Sequence, residues 1–484
     1  MPFVLMLAYA SIEQALFAAR WSRCAQLCNI AKVDMSSTVR FHGPGIIKGK
    51  IAMPGDKSIS HRVAMLASLA EGNSVIDGFA SSVDCAATLD CVTRLGIEVE
   101  RENSRVVIHG RGSRGYRYRE DPIVLDAGNS GSTMRMLTGL LASRKLETVF
   151  DGDNSLRRRP MRRIIEPLTR MGARIDAVQD NFPPLKISGT TLQGIDYQSP
   201  IASAQVKTAV LFAGLSAEGA AAFGEPILSR NHTELMLPEF GARFSESLDG
   251  PGHQLRIQGG QELKPVRYTV PGDPSSAAFF CAAAAATPGS RLVVQNVNLN
   301  PTRIAFVEAL QMLGADIVVD NAALAHGEKI GDLIVTGRSL MSAPGGCRFP
   351  REMIPALIDE IPVLAVIATQ VEGRVEIRHA EELRVKESDR IKSVAAGLRA
   401  LGAEVEEFED GLAVSGPQRL IGGVVESAGD HRIAMAFSIA GLLARGVTEI
   451  RGAECAAVSF PQFFETLASV SNEGVIEKIS GEIR

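Results

Sequence analysis

The sequence predicts an α/β protein of two similar domains, each a threefold repeat of strands and helices with long helices buried. Two recurring patterns that interleave along the chain carry this expectation, together with the composition. Of 484 residues, 45% are apolar and 22% charged, ordinary globular usage that excludes a disordered or collagen-like chain. Aromatics supply only 5% while glycine numbers 46, a balance that suits tight turns and closely packed helices. Length alone allows about three domains or two large ones, and the repeats favour two. The formal charge of −4 lacks the basic excess of a nucleic-acid binder.

The first pattern is an apolar helix ending in Leu, Met or Phe, then Gly, then a β-like run. It reads Leu95-Gly96-Ile97, Met171-Gly172-Ala173, Phe240-Gly241-Ala242, Leu313-Gly314-Ala315 and Leu401-Gly402-Ala403. The spacings between successive glycines are 76, 69, 73 and 88. Each is the residue expected just past a helix C-terminus, where the backbone turns left-handed. A sixth copy near Leu467-Ala468-Ser469 lacks the Gly.

The second pattern is a polar, often Gly-containing start followed by a long apolar helix. Its copies begin at Gly55-Asp56-Lys57-Ser58, Asn129-Ser130-Gly131-Ser132, Ser203-Ala204-Gln205, Gly272-Asp273-Pro274-Ser275, Asp359-Glu360 and Gly429-Asp430-His431-Arg432. The intervals are 74, 74, 69, 87 and 70. Runs such as Val63-Ala64-Met65-Leu66-Ala67 and Ala434-Met435-Ala436-Phe437 follow. A helix apolar all round belongs inside a domain. Six units of roughly 70 residues result, separated by β-rich runs such as Arg105–Ile108 and Asp332–Val335. Three units make a domain, with the joint near Thr269-Val270-Pro271-Gly272.

Residues 1–40 stand outside this scheme as an N-terminal extension. Met1–Ala10 is apolar, but no positive stretch precedes it and Ser11, Glu13 and Gln14 interrupt the run. That is too short for a membrane span and wrongly flanked for a secretory signal. Two readings stay open: a short helical extension, or translation from an upstream start with Met35 as the usual first residue. No other segment approaches the roughly 18 unbroken apolar residues of a spanning helix. The seven cysteines form no ligand pattern; Cys24 and Cys28 have CxxxC spacing without a second pair. No metal is expected, and scattered thiols fit a reducing, cytoplasmic setting.

A helix N-terminus leaves backbone N–H groups unpaired and carries roughly half a positive charge, so it attracts anions. Lys57, Ser58 and Arg62 sit at the first buried start, Asn129, Ser132 and Arg135 at the second, Ser203 and Gln205 at the third, and Arg432 at the sixth. A single Ser or Asn is accounted for by capping. A cation there opposes the dipole, so Lys57, Arg62, Arg135 and Arg432 point to a bound anion. The helix-ending series adds arginines at corresponding offsets, with Arg159 ahead of Gly172, Arg230 ahead of Gly241 and Arg390 ahead of Gly402. Together they imply a highly anionic small molecule between two domains. Acid–base candidates stand among them. Asp359 and Glu360 open the fifth buried helix, and Lys386-Glu387-Ser388-Asp389-Arg390 packs both signs into one short stretch. At helical spacing Lys386 and Arg390 would share a face, with Glu387 beside it.

With these residues on the page, the chain resembles the 5-enolpyruvylshikimate-3-phosphate (EPSP) synthases, or 3-phosphoshikimate 1-carboxyvinyltransferases, from about Gly43 to Val470. In the first half the matching stretches are Pro54–Arg62, Asn129–Arg135, Arg159-Pro160-Met161 and Ser203–Lys207. In the second half they are Arg384–Arg390 and Asp430–Met435. Six in order are highly specific.

The resemblance implies two inside-out α/β barrels: an N-terminal domain over 54–270, and a C-terminal domain over 41–53 and 271–484. Two segments would cross the hinge, and the domains would close on substrate. The implied reaction transfers the enolpyruvyl group of phosphoenolpyruvate to the 5-hydroxyl of shikimate 3-phosphate, releasing phosphate, on the route to chorismate and aromatic amino acids. By resemblance, Lys57, Ser58, Arg62, Ser203, Ala204, Gln205, Arg230, Asp359 and Lys386 hold shikimate 3-phosphate. Lys57, Gly131, Arg159, Gln205, Arg390 and Arg432 hold phosphoenolpyruvate. Asp359 takes the proton of the attacking hydroxyl, while Glu387 or Lys57 protonates the methylene carbon. No metal or organic cofactor, nucleic acid, membrane or second subunit is implied.

Two positions depart from many relatives. Val458 precedes the Phe460-Pro461 pair where they carry Lys, and Met136 follows Arg135 where they carry Pro. Both departures are similar to the family's divergent bacterial class. Gly131 falls where the inhibitor glyphosate fits against the backbone, which implies sensitivity competitive with phosphoenolpyruvate. The sister family acting on UDP-N-acetylglucosamine is the alternative; its usual loop cysteine is missing, since no Cys occurs between Cys91 and Cys281. A non-catalytic anion-binding repeat protein would not need Asp359 and Glu387 among so many cations.

Overall fold

Each of the five helix-ending glycines adopts the left-handed backbone its position demands, with φ between 76° and 98°. They close the helices Val83–Arg94, Arg162–Arg170, His232–Met236, Ala305–Met312 and Arg390–Ala400. The sixth helix of the series, Phe463–Val470, has no such glycine and runs into an extended Ser471. The computed structural model describes residues 37–112, 116, 122–247 and 252–479; residues 1–36 of the N-terminal extension, with Cys24, Cys28 and Met35, lie outside them, while its last residues, from Thr38, belong to a strand.

The buried series starts where the polar turns placed it: Lys57–Leu69, Gly131–Leu141, Ala204–Gly214, Pro274–Ala286, Ile361–Ala368 and His431–Leu443. Every residue of Pro274–Ala286 is buried. Each enclosed Leu, Ile, Val or Phe contributes about 1.5–3 kcal/mol relative to exposure. Five of the six starts are capped by their own turn residue, Asp56, Ser130, Ser203, Asp273 or Asp430, whose side chain accepts a hydrogen bond from a first-turn N–H. Glu360, at the fifth start, makes no such bond.

Among the described residues six sheets accompany the helices, and all share one four-strand pairing scheme, to which one sheet adds a fifth strand. In the first, Arg267–Thr269 runs parallel to Glu71–Asp77, which pairs antiparallel with Arg105–Arg111, which pairs antiparallel with Glu98–Glu102. The second repeats the order with Ile123–Asp126, Glu147–Asp151, Phe182–Ser188 and Arg174–Val178. Two sheets recruit strands from the chain's beginning: Lys48–Ala52 lies parallel to Arg291–Asn298, and Thr38–Gly43 pairs antiparallel with both Gly446–Arg451 and Ile476–Ile479.

Buried side chains form two hydrophobic clusters, one drawn from Ile59–Val270 and the other from Val39–Met53 and Ala277–Val475. The chain around them is called here the first and second lobe. It passes between clusters twice, and the two passages hydrogen-bond to each other: Asp56 N to Pro271 O at 2.8 Å and Asp273 N to Pro54 O at 2.9 Å.

One local expectation fails. Lys386 and Arg390 do not share a helix face, because Lys386 ends a short 3₁₀ turn over Glu381–Val385 and the α-helix begins only at Arg390. Asp389 stops the helix from extending backward: its side chain caps the new N-terminus by accepting from Lys392 N. No helix among the described residues is long and apolar enough to cross a membrane.

Candidate active site

The capped starts place their side chains around one cavity of about 200 Å³. Lys57, the first residue of the first buried helix, sends Nζ to Asp84 Oδ2 at 3.0 Å. Burial alone would lower its pKa, but the Asp84 carboxylate outweighs this and the amine is raised above its ordinary value. Lys57 is therefore an ammonium at neutral pH. In the second start, Arg135 donates from Nη1 to Gln205 Oε1 at 2.8 Å, and Gln205 Nε2 donates to Ser132 Oγ at 2.9 Å. Burial, with Arg163 and Arg159 nearby, pushes the Arg135 guanidinium down to about 9. A guanidinium so disfavoured as a cation is poised to receive an anion.

Carboxylates from the second lobe meet cations of the first across the cavity. Arg230 pairs with Asp359 at 2.5 Å, Arg159 with Glu387 at 3.2 Å, and Arg163 with Glu382 at 3.5 Å. Arg390, 1% exposed, is held at 2.8 Å by Asp430, 2.7 Å by Glu387 and 3.3 Å by Asp359. Burial would raise the pKa of Asp359, yet Arg230, Lys386, Arg432 and Arg390 hold it well below the usual carboxylate range. Glu387 is likewise buried and likewise held low, by Arg390 and Arg159 first. Both are anions. His431, buried and close to Lys57 and Arg432, is held well below the ordinary histidine value and is neutral. Arg432 Nη1 lies 3.7 Å from Glu360, whose carboxyl is raised by burial.

Of the fourteen residues to which the resemblance gives substrate-binding or catalytic roles, thirteen line this cavity: Lys57, Ser58, Gly131, Arg159, Ser203, Ala204, Gln205, Arg230, Asp359, Lys386, Glu387, Arg390 and Arg432. Arg62 lies behind the wall. Its guanidinium donates to Ser58 O, Thr233 Oγ1 and Thr208 Oγ1, so it braces the first helix start rather than facing the cavity. The reading from sequence overlooked Asp84, Arg163, Arg303 and Glu382, which also line the cavity. A signal for two of them was present: Arg303 precedes Gly314, and Asp84 precedes Gly96, by the same offsets already noted for Arg230 and Arg390.

Nine Lys or Arg and five Asp or Glu line the cavity, a formal excess of +4. The wall offers anion-binding groups, one ammonium donor and two ionised acceptors. That combination can bind polyanions and move protons between them.

Comparison with known proteins agrees with this chemistry. The family model for EPSP synthase (3-phosphoshikimate 1-carboxyvinyltransferase) matches residues 41–467. The chain is 46% identical over 426 residues to a 3-phosphoshikimate 1-carboxyvinyltransferase of Brevibacillus brevis, covering 88% of this chain and 98% of the relative. It is 46% identical over 429 residues to the protein of that name from Bacillus subtilis, with the same coverage. Among solved structures, an EPSP synthase of Acinetobacter baumannii superposes with a TM-score of 0.80 at 41% identity, covering 92% of this chain and all of that one. With such matches spanning nearly every described element, the chain belongs to the EPSP synthase (3-phosphoshikimate 1-carboxyvinyltransferase) family.

Proposed function

We propose that this protein transfers the enolpyruvyl group of phosphoenolpyruvate to the 5-hydroxyl of shikimate 3-phosphate and releases phosphate. The observation that carries the reading is the cavity wall, with nine cations closing on Asp359 and Glu387 from two lobes. The two substrates bring two phosphates and two carboxylates, about −5 to −6 in all, counting up to about −2 per phosphate. A wall with a formal excess of +4 neutralises most of that. The alternative acceptor, UDP-N-acetylglucosamine, gains no support from the relatives' names.

The electrostatics divide the proton work. Lys57 is the protonated group, so it supplies the proton to the methylene carbon as the 5-oxygen attacks the adjacent carbon. Of the two donors left open by resemblance, Glu387 is the less suited, because it starts as an anion. Asp359 accepts the hydroxyl proton. In the free protein its basicity is suppressed by Arg230 and Arg390, and substrate anions that draw those cations away would restore it. The resulting tetrahedral intermediate has a new C–O bond and a methyl group. Loss of a methyl proton, taken by the Glu387 carboxylate and passed to neutral Lys57, then expels phosphate by breaking its C–O bond, and the hydroxyl proton held by Asp359 leaves with the phosphate. Closure strengthens each of these interactions by excluding water.

We assign shikimate 3-phosphate to Lys57, Ser58, Ser203, Ala204, Gln205, Arg230, Asp359 and Lys386, with Arg62 as a brace. Phosphoenolpyruvate is assigned to Lys57, Gly131, Arg159, Gln205, Arg390 and Arg432. The domain boundaries are proposed at 54–270 and at 41–53 with 271–484, each domain an inside-out α/β barrel. The paired crossings at Pro54–Asp56 and Pro271–Asp273 support that division. Cytoplasmic, monomeric action is part of the proposal; the free thiols Cys85, Cys91, Cys281, Cys347 and Cys455 fit a reducing setting. Phosphate release on mixing the protein with both substrates tests the reading. Omitting either substrate should abolish it, and release from phosphoenolpyruvate alone, or none with both present, would reject it.

A further inference from the structure

We infer that Arg303 is a positioning residue for this transfer: it joins the N-terminal caps of the first buried helix of each lobe and so sets the place of Lys57. The inference rests on the reaction proposed above. Arg303 is 3% exposed. Its Nη1 donates to Asp56 Oδ2 at 2.8 Å and to His232 Nε2 at 3.1 Å. Its Nη2 donates to Asp273 Oδ1 at 3.3 Å and to Ser275 Oγ at 3.1 Å. Asp56 caps the helix that begins with Lys57, through Oδ1 on Ile59 N at 3.0 Å. Asp273 caps the first helix of the second lobe, through Oδ1 on Ser275 N at 2.7 Å, and its Oδ2 accepts from Lys57 N at 3.1 Å.

The backbone of Lys57 is thus held by the cap residue of the opposite lobe, and one guanidinium bridges both caps. Capping does not require this. A helix cap is satisfied by its own N–H groups, whereas a buried cation across two caps fixes how the lobes meet. Burial would lower the Arg303 pKa, but Asp56 and Asp273 raise it instead, so the bridge stays charged. The planar fork serves two carboxylates and an imidazole at once, a geometry that a lysine ammonium on a flexible stem does not reproduce. His232 passes the connection on, since its Nδ1 donates to Glu328 Oε1 at 2.6 Å. With Asp84 holding Nζ and Asp273 holding the amide, Lys57 is fixed at both ends.

The test uses the full chain with Arg303→Lys and with Asp56→Asn, each alone and combined with Lys57→Met. It reads phosphate release with both substrates, beside near-UV circular dichroism and thermal melting. Wild-type release that needs both substrates secures the reaction independently of Arg303. In each single variant kcat should fall about 30-fold or more, the scale of a small misplacement of a reacting group, while both KM values stay within about threefold. In the Lys57→Met background each change should lower the residual rate by less than about threefold, the non-additivity of a residue acting through Lys57. Asp56→Asn keeps a capping oxygen, which leaves one arm readable where Arg303→Lys does not fold. The inference is overturned by a folded variant with near-normal kcat, by an undiminished loss in the Lys57→Met background, or by loss of folding in both variants.

Discussion

Replacing Glu387 by Gln should move binding and turnover in opposite directions. The carboxylate faces Arg159 at 3.2 Å from the other lobe and Arg390 at 2.7 Å from its own. Both arginines are proposed to receive phosphoenolpyruvate, so an entering anion competes with Glu387 for the same N–H groups. At an effective dielectric of about 20, a unit pair at 3.2 Å is worth about 5 kcal/mol, which bounds the competition from above. Exposed pairs, worth about 0.2–1 kcal/mol, bound it from below. Glu387, with 17% of its side chain exposed, sits between these limits.

Neutralising it should therefore tighten phosphoenolpyruvate binding by about tenfold. Turnover should fall by about 10²-fold or more, because a positioned proton-transfer group is lost. Calorimetric titration of phosphoenolpyruvate gives the first quantity and steady-state phosphate release the second. Weaker binding, or kcat within about threefold of wild type, would refute the placement of Glu387 against the phosphoenolpyruvate anions.

Lys57→Met should cost about 10²-fold or more in kcat with folding intact, since its ammonium is the proposed donor; unchanged turnover at saturating substrate would reject that role. For Gly131→Ala, the added Cβ would stand 2.9 Å from Arg135 Nη1 and 3.5 Å from Arg159 Nη1. The variant should therefore need about tenfold more glyphosate for half inhibition, with a raised KM for phosphoenolpyruvate, read from competitive inhibition plots against wild type. Lys207→Met removes the cation between Glu225 and Glu234, with Lys207 and Glu225 0% exposed and Glu234 3% exposed. Breaking a buried pair costs about 3–5 kcal/mol, and at about 2–4 °C per kcal/mol the melting temperature should drop by at least about 6 °C. Burial raises the Glu234 pKa and Lys207 opposes the rise, so the variant's carboxyl climbs further. A carboxyl with a raised folded pKa stabilises the fold below its unfolded value and loses that contribution as pH increases through the folded value. The melting deficit should accordingly be larger at pH 8 than at pH 5.

The repeat was legible because it is written in residues that act locally. A left-handed glycine after each helix and a capping Asp or Ser before the next are choices the backbone makes within a turn or two, so Gly96, Gly172, Asp56 and Ser130 announce them directly. The cations were legible for the opposite reason: Lys57 and Arg432 sit where a helix dipole disfavours them, which only a ligand or a partner explains. The partners themselves were not. Asp84 belongs to the helix after that of Lys57, while Asp359 and Glu387 lie in the opposite half of the chain from Arg230 and Arg159. Pairing over such separations is decided by how the repeats stack, and no local preference encodes it. The same holds for Lys386, whose supposed helical face dissolved once Asp389 proved to be a cap. Arg62 shows that a cation at a helix start can brace neighbouring hydroxyls and a carbonyl, contacts that its place in the sequence does not reveal.

Asp84, Arg159, Arg230, Arg303 and Arg390 occupy equivalent places ahead of the helix-ending glycines, and all of them line the cavity. In the sixth unit, where Ala468 stands for the glycine, the corresponding places fall to Cys455, Ala456 and Ala457, none of which lines the cavity. The charges also divide unevenly. The first lobe contributes Lys57, Arg135, Arg159, Arg163 and Arg230 against Asp84 alone, while the second offsets Arg303, Lys386, Arg390 and Arg432 with Asp273, Asp359, Glu382 and Glu387. The whole positive excess therefore lies on the first lobe, and the second presents a face near neutrality. An anion entering the cavity is drawn to the first lobe by that imbalance. An anion held there faces second-lobe carboxylates, Asp359 and Glu387, that are already ionised.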